Sequence, residues 1–230
     1  MIKSGFLPRT LDALKANLLP GIFLQILMVG FLYAYWHHAG TRQAMETVAS
    51  WKNQVGYSFA MISYVISSSV LPELLKIGFF QRGRVSFDNL WSLVTSAPLW
   101  AGMGLLIDFF YRCQGTWFGN GHDWTTMLAK VFVDQFLFSP LISIPLMQAY
   151  FQWRDARFRK SAFQNTSLRE FFLEKVFPMQ VAAWCIWIPG VALVYSMPPT
   201  LQIPTAVTIQ IFWVMVFTAL RGKPLTVDRS

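Results

Sequence analysis

Residues 176–220 read VFPMQVAAWCIWIPGVALVYSMPPTLQIPTAVTIQIFWVMVFTAL, 45 positions without one Asp, Glu, Lys or Arg. A helix on an aqueous surface needs a polar face, and this stretch offers none. A bilayer core takes about 20 apolar residues per helix, so the run holds two spans. Met197-Pro198-Pro199 divides them, because two adjacent prolines cannot both continue a helix. Working outward, four more uncharged runs occupy 16–41, 53–72, 89–107 and 135–153, each long enough for one span. The pattern predicts an all-α, polytopic transmembrane helical bundle of six spans. These are Leu18–Trp36, Gln54–Leu75, Asn89–Tyr111, Met127–Gln152, Phe171–Ser196 and Leu201–Leu220.

Composition agrees. Charged residues make up 13% of the 230, against 54% apolar and 17% aromatic, about half the charge a soluble domain carries. That excludes a disordered chain, and two cysteines, Cys113 and Cys185, exclude a disulfide scaffold. Both cysteines read as small buried apolar residues. The net charge of +8 is no sign of nucleic acid here, because membrane proteins gather Lys and Arg in loops on one face. Lys3, Arg9 and Lys15 precede the first apolar stretch, which is too long for a cleavable signal and is not followed by an A-x-A site. It reads as a retained span, leaving 1–17 as a basic tail, 18–220 as one transmembrane domain and 221–230 as a second tail.

Lysine and arginine set the expected orientation. Thirteen fall in the N-terminal tail, the Arg82–Arg84 loop, the Arg154–Arg169 loop and the C-terminal tail. Four, namely Arg42, Lys52, Arg112 and Lys130, fall on the other side. The bias predicts both termini on the cytoplasmic side. The Arg154–Arg169 loop is also expected to attract anionic headgroups. Trp36, Trp51, Trp91 and Trp153 sit at span ends, where interfacial tryptophans belong.

The informative residues are ionisable groups inside spans, which face the bundle interior or a wet cavity. Glu73 and Lys76 are spaced i, i+3; Asp108 and Arg112, like Lys130 and Asp134, are spaced i, i+4, with Gln135 beside the last pair. Each pair therefore supplies its own partner on one helix face. Such pairs either fix helix register or line a polar passage, and both readings stay open. Asp134, Leu141, Gln148 and Gln152 fall near one stripe of the fourth span, as in a pore with an apolar constriction or a packed interface. Pro98, Pro140, Pro145, Pro178 and Pro189 are expected to kink their helices and free carbonyls. Ala101, Gly102 and Gly104 permit close helix approach on the third span, and Ser63 and Ser67–Ser69 do so on the second. Trp184 and Trp187 read as packing residues. His37, His38 and His122 have no ligand spacing with intramembrane carboxylates, so no metal, cofactor or catalytic role is expected.

Several motifs occur in a familiar order. Lys130-x3-Asp134-Gln135-x4-Pro140 resembles the K-x3-D-Q-x4-P signature of the twenty-two-kilodalton peroxisomal membrane protein family, which includes Mpv-type proteins of the mitochondrial inner membrane. Gly104 and Phe110-Tyr111-Arg112 take the place of its G-P…W-Y-R segment, with Leu105 for Pro and Phe110 for Trp. Trp184-x2-Trp187-x-Pro189 is similar to its W-x2-W-P motif with Ile188 inserted. The likeness covers about 104–220, and in outline 57–220; the first span is additional. It implies a divergent, bacterial member of the inner membrane, with mitochondrial or peroxisomal membranes as alternatives. The implied activity is a channel or pore for small solutes, or a part in membrane homeostasis. The other readings are a non-transporting structural or assembly protein and a secondary transporter. The implied partners are the bilayer and a second copy of the chain.

Overall fold

The computed structural model describes residues 6–121, 123–164 and 166–221, which form helices with no strand among them. The first five residues, His122, Asn165 and the tail after Arg221 lie outside the described residues, as do the side chains of 6–14, 16, 17 and 216–221. Seven helices follow in order: α1 Phe6–His37, α2 Ala39–Val55, α3 Tyr57–Phe80, α4 Phe87–Phe118, α5 Trp124–Asp155, α6 Leu168–Ser196 and α7 Pro199–Arg221. Five are long and apolar enough to cross a membrane: the Leu18–His37 part of α1, and α3 to α6.

Helix α7 runs up the middle of the bundle, packed against α1, α2, α3, α4 and α6. Every residue from Leu201 to Val207 is buried. A helix enclosed over such a stretch has no use there for a charged face, and the sequence of 201–210 carries none. The interior combines an apolar core with enclosed polar groups, and the outer surface is largely apolar. Asp108, Gln114, Ser67 and Thr205 are fully enclosed, while Ile26, Val29, Phe79, Val94, Leu128 and Leu141 face outward. In water this distribution would be upside down; in hydrocarbon it is the stable one.

The tightest helix crossing is α3 against α4. A Cβ on Gly104 would stand 2.5 Å from the Ala60 carbonyl oxygen, so only glycine fits there. Nearby Ser96 Oγ donates to Ser69 Oγ at 2.9 Å across the same interface. The expected small-residue contact is therefore present at Gly104, though Gly102 faces open space.

Prolines shape the helices without ending them. A proline lacks an N–H and pushes away the carbonyl one turn earlier, and widening to i→i+5 bonding accommodates this. Wide turns at Ile66–Val70, Val133–Ser143 and Phe172–Val176 respectively precede Pro72, enclose Pro140 ahead of Pro145, and precede Pro178. In the wide register of α5, the N–H owed to the Gln135 carbonyl would come from Pro140, which has none. That carbonyl is instead served by α6, with Trp184 Nε1 donating at 2.8 Å and Gln180 Nε2 at 3.5 Å. Likewise Pro189 leaves the Cys185 carbonyl without its helical donor, and Gln25 Nε2 of α1 donates to it at 3.2 Å. A freed carbonyl in hydrocarbon must find a neighbour, and here both do. Trp184→Phe keeps the ring and removes the donor. It should cost about 1–3 kcal/mol, the penalty of an unsatisfied buried acceptor, read as a lower detergent melting temperature than for Trp187→Phe.

Several expectations are corrected. Most of the basic tail 1–17 is helical, since α1 starts at Phe6, while the apolar part of that helix begins at Leu18; the segment is rich in Leu and Ala, good helix formers. The connection after the first span, to which the sequence reading assigns no structure, is the helix α2, capped by His38 whose Nδ1 accepts from the Thr41 N–H at 3.3 Å. The second span begins at Tyr57 because Gly56, at φ 60°, turns the chain there. Neither cysteine is buried; Cys185 is exposed and Cys113 half-buried on outward faces, where the solvent is hydrocarbon and a thiol is at ease. The polar stripe on the fourth span does not form. Asp134 is buried, Leu141 is 62% exposed and Gln148 is half-buried, since the wide turn of Val133–Ser143 shifts the phase of every later residue.

Candidate functional site

Two separate polar sites emerge from the residues singled out in the sequence. Glu73 and Lys76 form one, at the Phe80 end of α3. Their groups lie 3.7 Å apart, and Asn89 Nδ2 of α4 donates to Glu73 Oε2 at 2.7 Å. Asn89 Oδ1 in turn accepts from the Ser86 N–H and hydroxyl at 2.8 and 2.7 Å, capping α4. This site joins α3 to the start of α4. It lies about 24 Å along α3 from Tyr57, at 1.5 Å per residue, and so is remote from the other groups.

The second site lies where α2, the ends of α4 and α6, and the starts of α5 and α7 meet. The stripe Met45, Ala49 and Lys52 turns the buried face of α2 inward, and carries the Lys52 ammonium to within 3.3 Å of Asp108 Oδ1. Arg112, one turn on from Asp108, approaches Oδ2 with one terminal nitrogen at 3.2 Å and Oδ1 with Nε at 3.4 Å. Its guanidinium also lies over the Tyr57 ring, 4.3 Å from the centroid. Asp108 thus holds two cations, one of which spacing could not pair with it. Burial lowers the Lys52 pKa, and Arg112 adds to this, while the Asp108 carboxylate opposes both. These groups line a cavity of about 260 Å³ with Tyr111, Gly115, Thr116, Asn120, Pro199 and Gln202. At the start of α5, Asp123 caps the helix, accepting from the Thr126 N–H at 2.9 Å and from the Thr125 hydroxyl. These bonds hold its carboxyl below the usual carboxylate range.

Behind the cavity the polar groups continue inward. Tyr111, on the cavity wall, packs edge-on against Tyr195 with centroids 5.2 Å apart. The Tyr195 hydroxyl donates to Asp134 Oδ2 at 2.8 Å and accepts from Gln114 Nε2 at 3.1 Å. Gln135 Nε2 donates to the other Asp134 oxygen at 2.9 Å. Gln180 and Ser139 extend the series, the Ser139 hydroxyl donating to Gln180 Oε1 at 3.0 Å. Lys130 does not pair with Asp134 as its spacing suggests. Its ammonium lies 5.6 Å from the Tyr195 ring centroid, and Asp134 is held by Tyr195 and Gln135 instead. The wide turn begins at Val133, between the two residues, so the ordinary i, i+4 geometry no longer holds. The Oε1 atoms of Gln114 and Gln135 are buried beside this cluster without a protein donor.

The structure therefore brings Asp108, Arg112, Lys130, Asp134 and Gln135 to one end and the centre of the bundle. Glu73 and Lys76 stand apart, and Gln148 joins neither. Pro140 and Trp184 act through the Gln135 carbonyl and Pro189 through Gln25, while the Trp187 ring packs on the helix beside Gly190. Lys52, Gln114, Tyr195 and Gln180 escaped sequence reading; only Lys52 left a trace, as the polar member of an otherwise apolar 45, 49, 52 stripe. Among the described residues, no three His, Cys, Asp or Glu side chains are grouped to hold a metal ion. Compared with protein-family models, curated proteins and solved structures, the chain gives no match.

Proposed function

We propose that this chain is a six-span integral membrane protein that passes small solutes across the bilayer, not an enzyme. The observation carrying this reading is the run of polar groups from the open cavity at Lys52, Asp108 and Arg112, past Tyr111 and Tyr195, to Asp134, Gln135 and Gln180 at mid-bundle. Ionisable groups are costly in a membrane interior and mark solute or ion pathways when they converge. Acceptors without protein donors, at Gln114 and Gln135, suit a hydrated path. In this reading both termini face the cytoplasm, and the membrane is a bacterial inner membrane, with mitochondrial inner and peroxisomal membranes as alternatives. The motif resemblance to the twenty-two-kilodalton peroxisomal membrane protein family supports the same assignment. Anionic headgroups would meet the Arg154–Arg169 loop, and a second copy of the chain would complete an oligomer.

A static role is favoured by one observation. Both Asp134 oxygens already have donors, as in a clamp between α5 and α6. Flux of small solutes from proteoliposomes distinguishes the two. Asp134→Asn should change flux at least several-fold while the protein still inserts. A variant that only lowers the melting temperature, over a wild type that passes nothing, would leave the clamp as the function.

A further inference from the structure

The cavity at the α2–α4–α7 junction combines features that a packing site does not need. Its charged lining consists of Lys52, Arg112 and Asp108, two cations and one anion, so the wall is net positive with every group ionised. Asp108 is fully enclosed and both its oxygens are engaged, one by Lys52 and one by Arg112. With no exposed surface and three donors already at its two oxygens, it is a poor acceptor for a visitor. The cations do have capacity left. A guanidinium carries five N–H donors and an ammonium three, and Asp108 occupies only part of either set. The Arg112 side chain is 50% exposed, with its charged end toward the cavity, whereas that of Lys52 is 9% exposed. Asn120 and Gln202 on the wall add neutral amide groups. Tyr111 closes the inner end.

We infer that this cavity is a binding site for a small oxyanion, a carboxylate or phosphate group, gripped by Arg112 and Lys52 with Asp108 as their built-in counter-ion. The inference rests on the solute-passage reading and deepens it by naming the class of solute admitted at this end. The cavity volume, about 260 Å³, lies below the range typical of drug-sized ligands, so the bound group is the anion itself or one on a short carbon chain. A planar guanidinium facing the opening suits two oxygens of one anion at once. Asp108 prevents the paired cations from repelling each other while the site is empty, and leaves an attraction that a neutral or cationic solute does not share. A phosphate could arrive free in water or on a lipid; the enclosed wall of Lys52 and the small volume favour the free anion.

The test measures binding directly, without flux. Purified protein in neutral detergent is titrated with inorganic phosphate and with acetate, following binding by equilibrium dialysis and by melting temperature. Saturable binding of at least one anion is expected, with no effect of a sodium-for-potassium exchange. Arg112→Gln, at a half-exposed position, should weaken it about tenfold or more, the loss expected for one charge-assisted hydrogen bond. Lys52→Gln should do the same, while Arg84→Gln should not. Absence of saturable binding to the wild type overturns the inference, as does binding unchanged in both cavity variants. Binding only to vesicles of anionic lipid, with none to free phosphate or acetate, overturns the water-borne source. Binding without flux in proteoliposomes contradicts the passage reading alone, and flux without binding contradicts this inference alone.

Discussion

Gly104→Ala should separate α3 from α4 and lower the detergent melting temperature further than any other single added methyl on α4. The new Cβ would stand 2.5 Å from the Ala60 carbonyl oxygen, 2.8 Å from its carbon and 3.1 Å from the Met61 Cα. All three are backbone atoms, so no rotamer change can relieve the contact and one helix must move. Overpacking of a tight interior costs about 1–3 kcal/mol and sometimes more, and a rigid backbone clash belongs at the upper end. Helix association in lipid depends on close packing in place of hydrophobic burial, so moving α3 outward also weakens the Ser69–Ser96 hydrogen bond beside it. Gly102→Ala is the control, two residues away on the same helix, with nothing within 4 Å of its added carbon. It should be neutral, or stabilising by up to about 1 kcal/mol through helix propensity. Equal melting temperatures for the two variants would contradict the packing assigned to this crossing.

Asp108→Ala should be the second severe change, costing about 3–5 kcal/mol, because removing one partner strands a buried charge. Arg112 can turn outward from its half-exposed position, but among the described residues the enclosed Lys52 has no other acidic neighbour within salt-bridge distance. Replacing both partners, as Asp108→Ala with Lys52→Met, should restore most of the loss. The pH dependence has a definite sign. Lys52 has a lowered pKa in the folded protein, with burial as the main cause. Between that value and the ordinary lysine value, the unfolded chain binds more protons than the folded one, so stability rises with pH there. Loss of Asp108 removes the one influence holding the Lys52 pKa up, and the window widens downward. The Asp108→Ala variant should therefore regain stability on going from neutral to alkaline pH, and by more than the wild type does. A variant equally weak at all pH values would mean that the stranded ammonium is not the cause.

The bundle itself could be read in the uncharged runs, since length and hydropathy are local properties. So could the pairs Glu73–Lys76 and Asp108–Arg112, where an ordinary helix brings i, i+3 and i, i+4 residues together. The same rule failed at Lys130 and Asp134. It assumes a regular turn, and the wide turn enclosing Pro140 removes that regularity for them and for Leu141 and Gln148 downstream. The prolines announced a distortion, but their spacing did not say whether the helix would break, kink or widen. Lys52 entered only the count of cations on one side, because its partner Asp108 lies 56 positions further on, a distance only tertiary packing can close. Tyr195 and Gln180 were invisible for a related reason: an uncharged polar residue within an apolar run gives no sign of whether it faces lipid or another helix, and Gln114 fell beyond the expected end of its span at Tyr111.

The account depends on the exterior formed by Ile26, Phe79, Val94, Leu128 and Leu141 meeting lipid, while Asp108 and Asp134 are kept from it. Flotation of alkaline-carbonate-washed membranes through a density gradient tests this most directly. The chain should rise with the lipid and be released only by detergent; recovery in the unfloated, detergent-free fraction would contradict it.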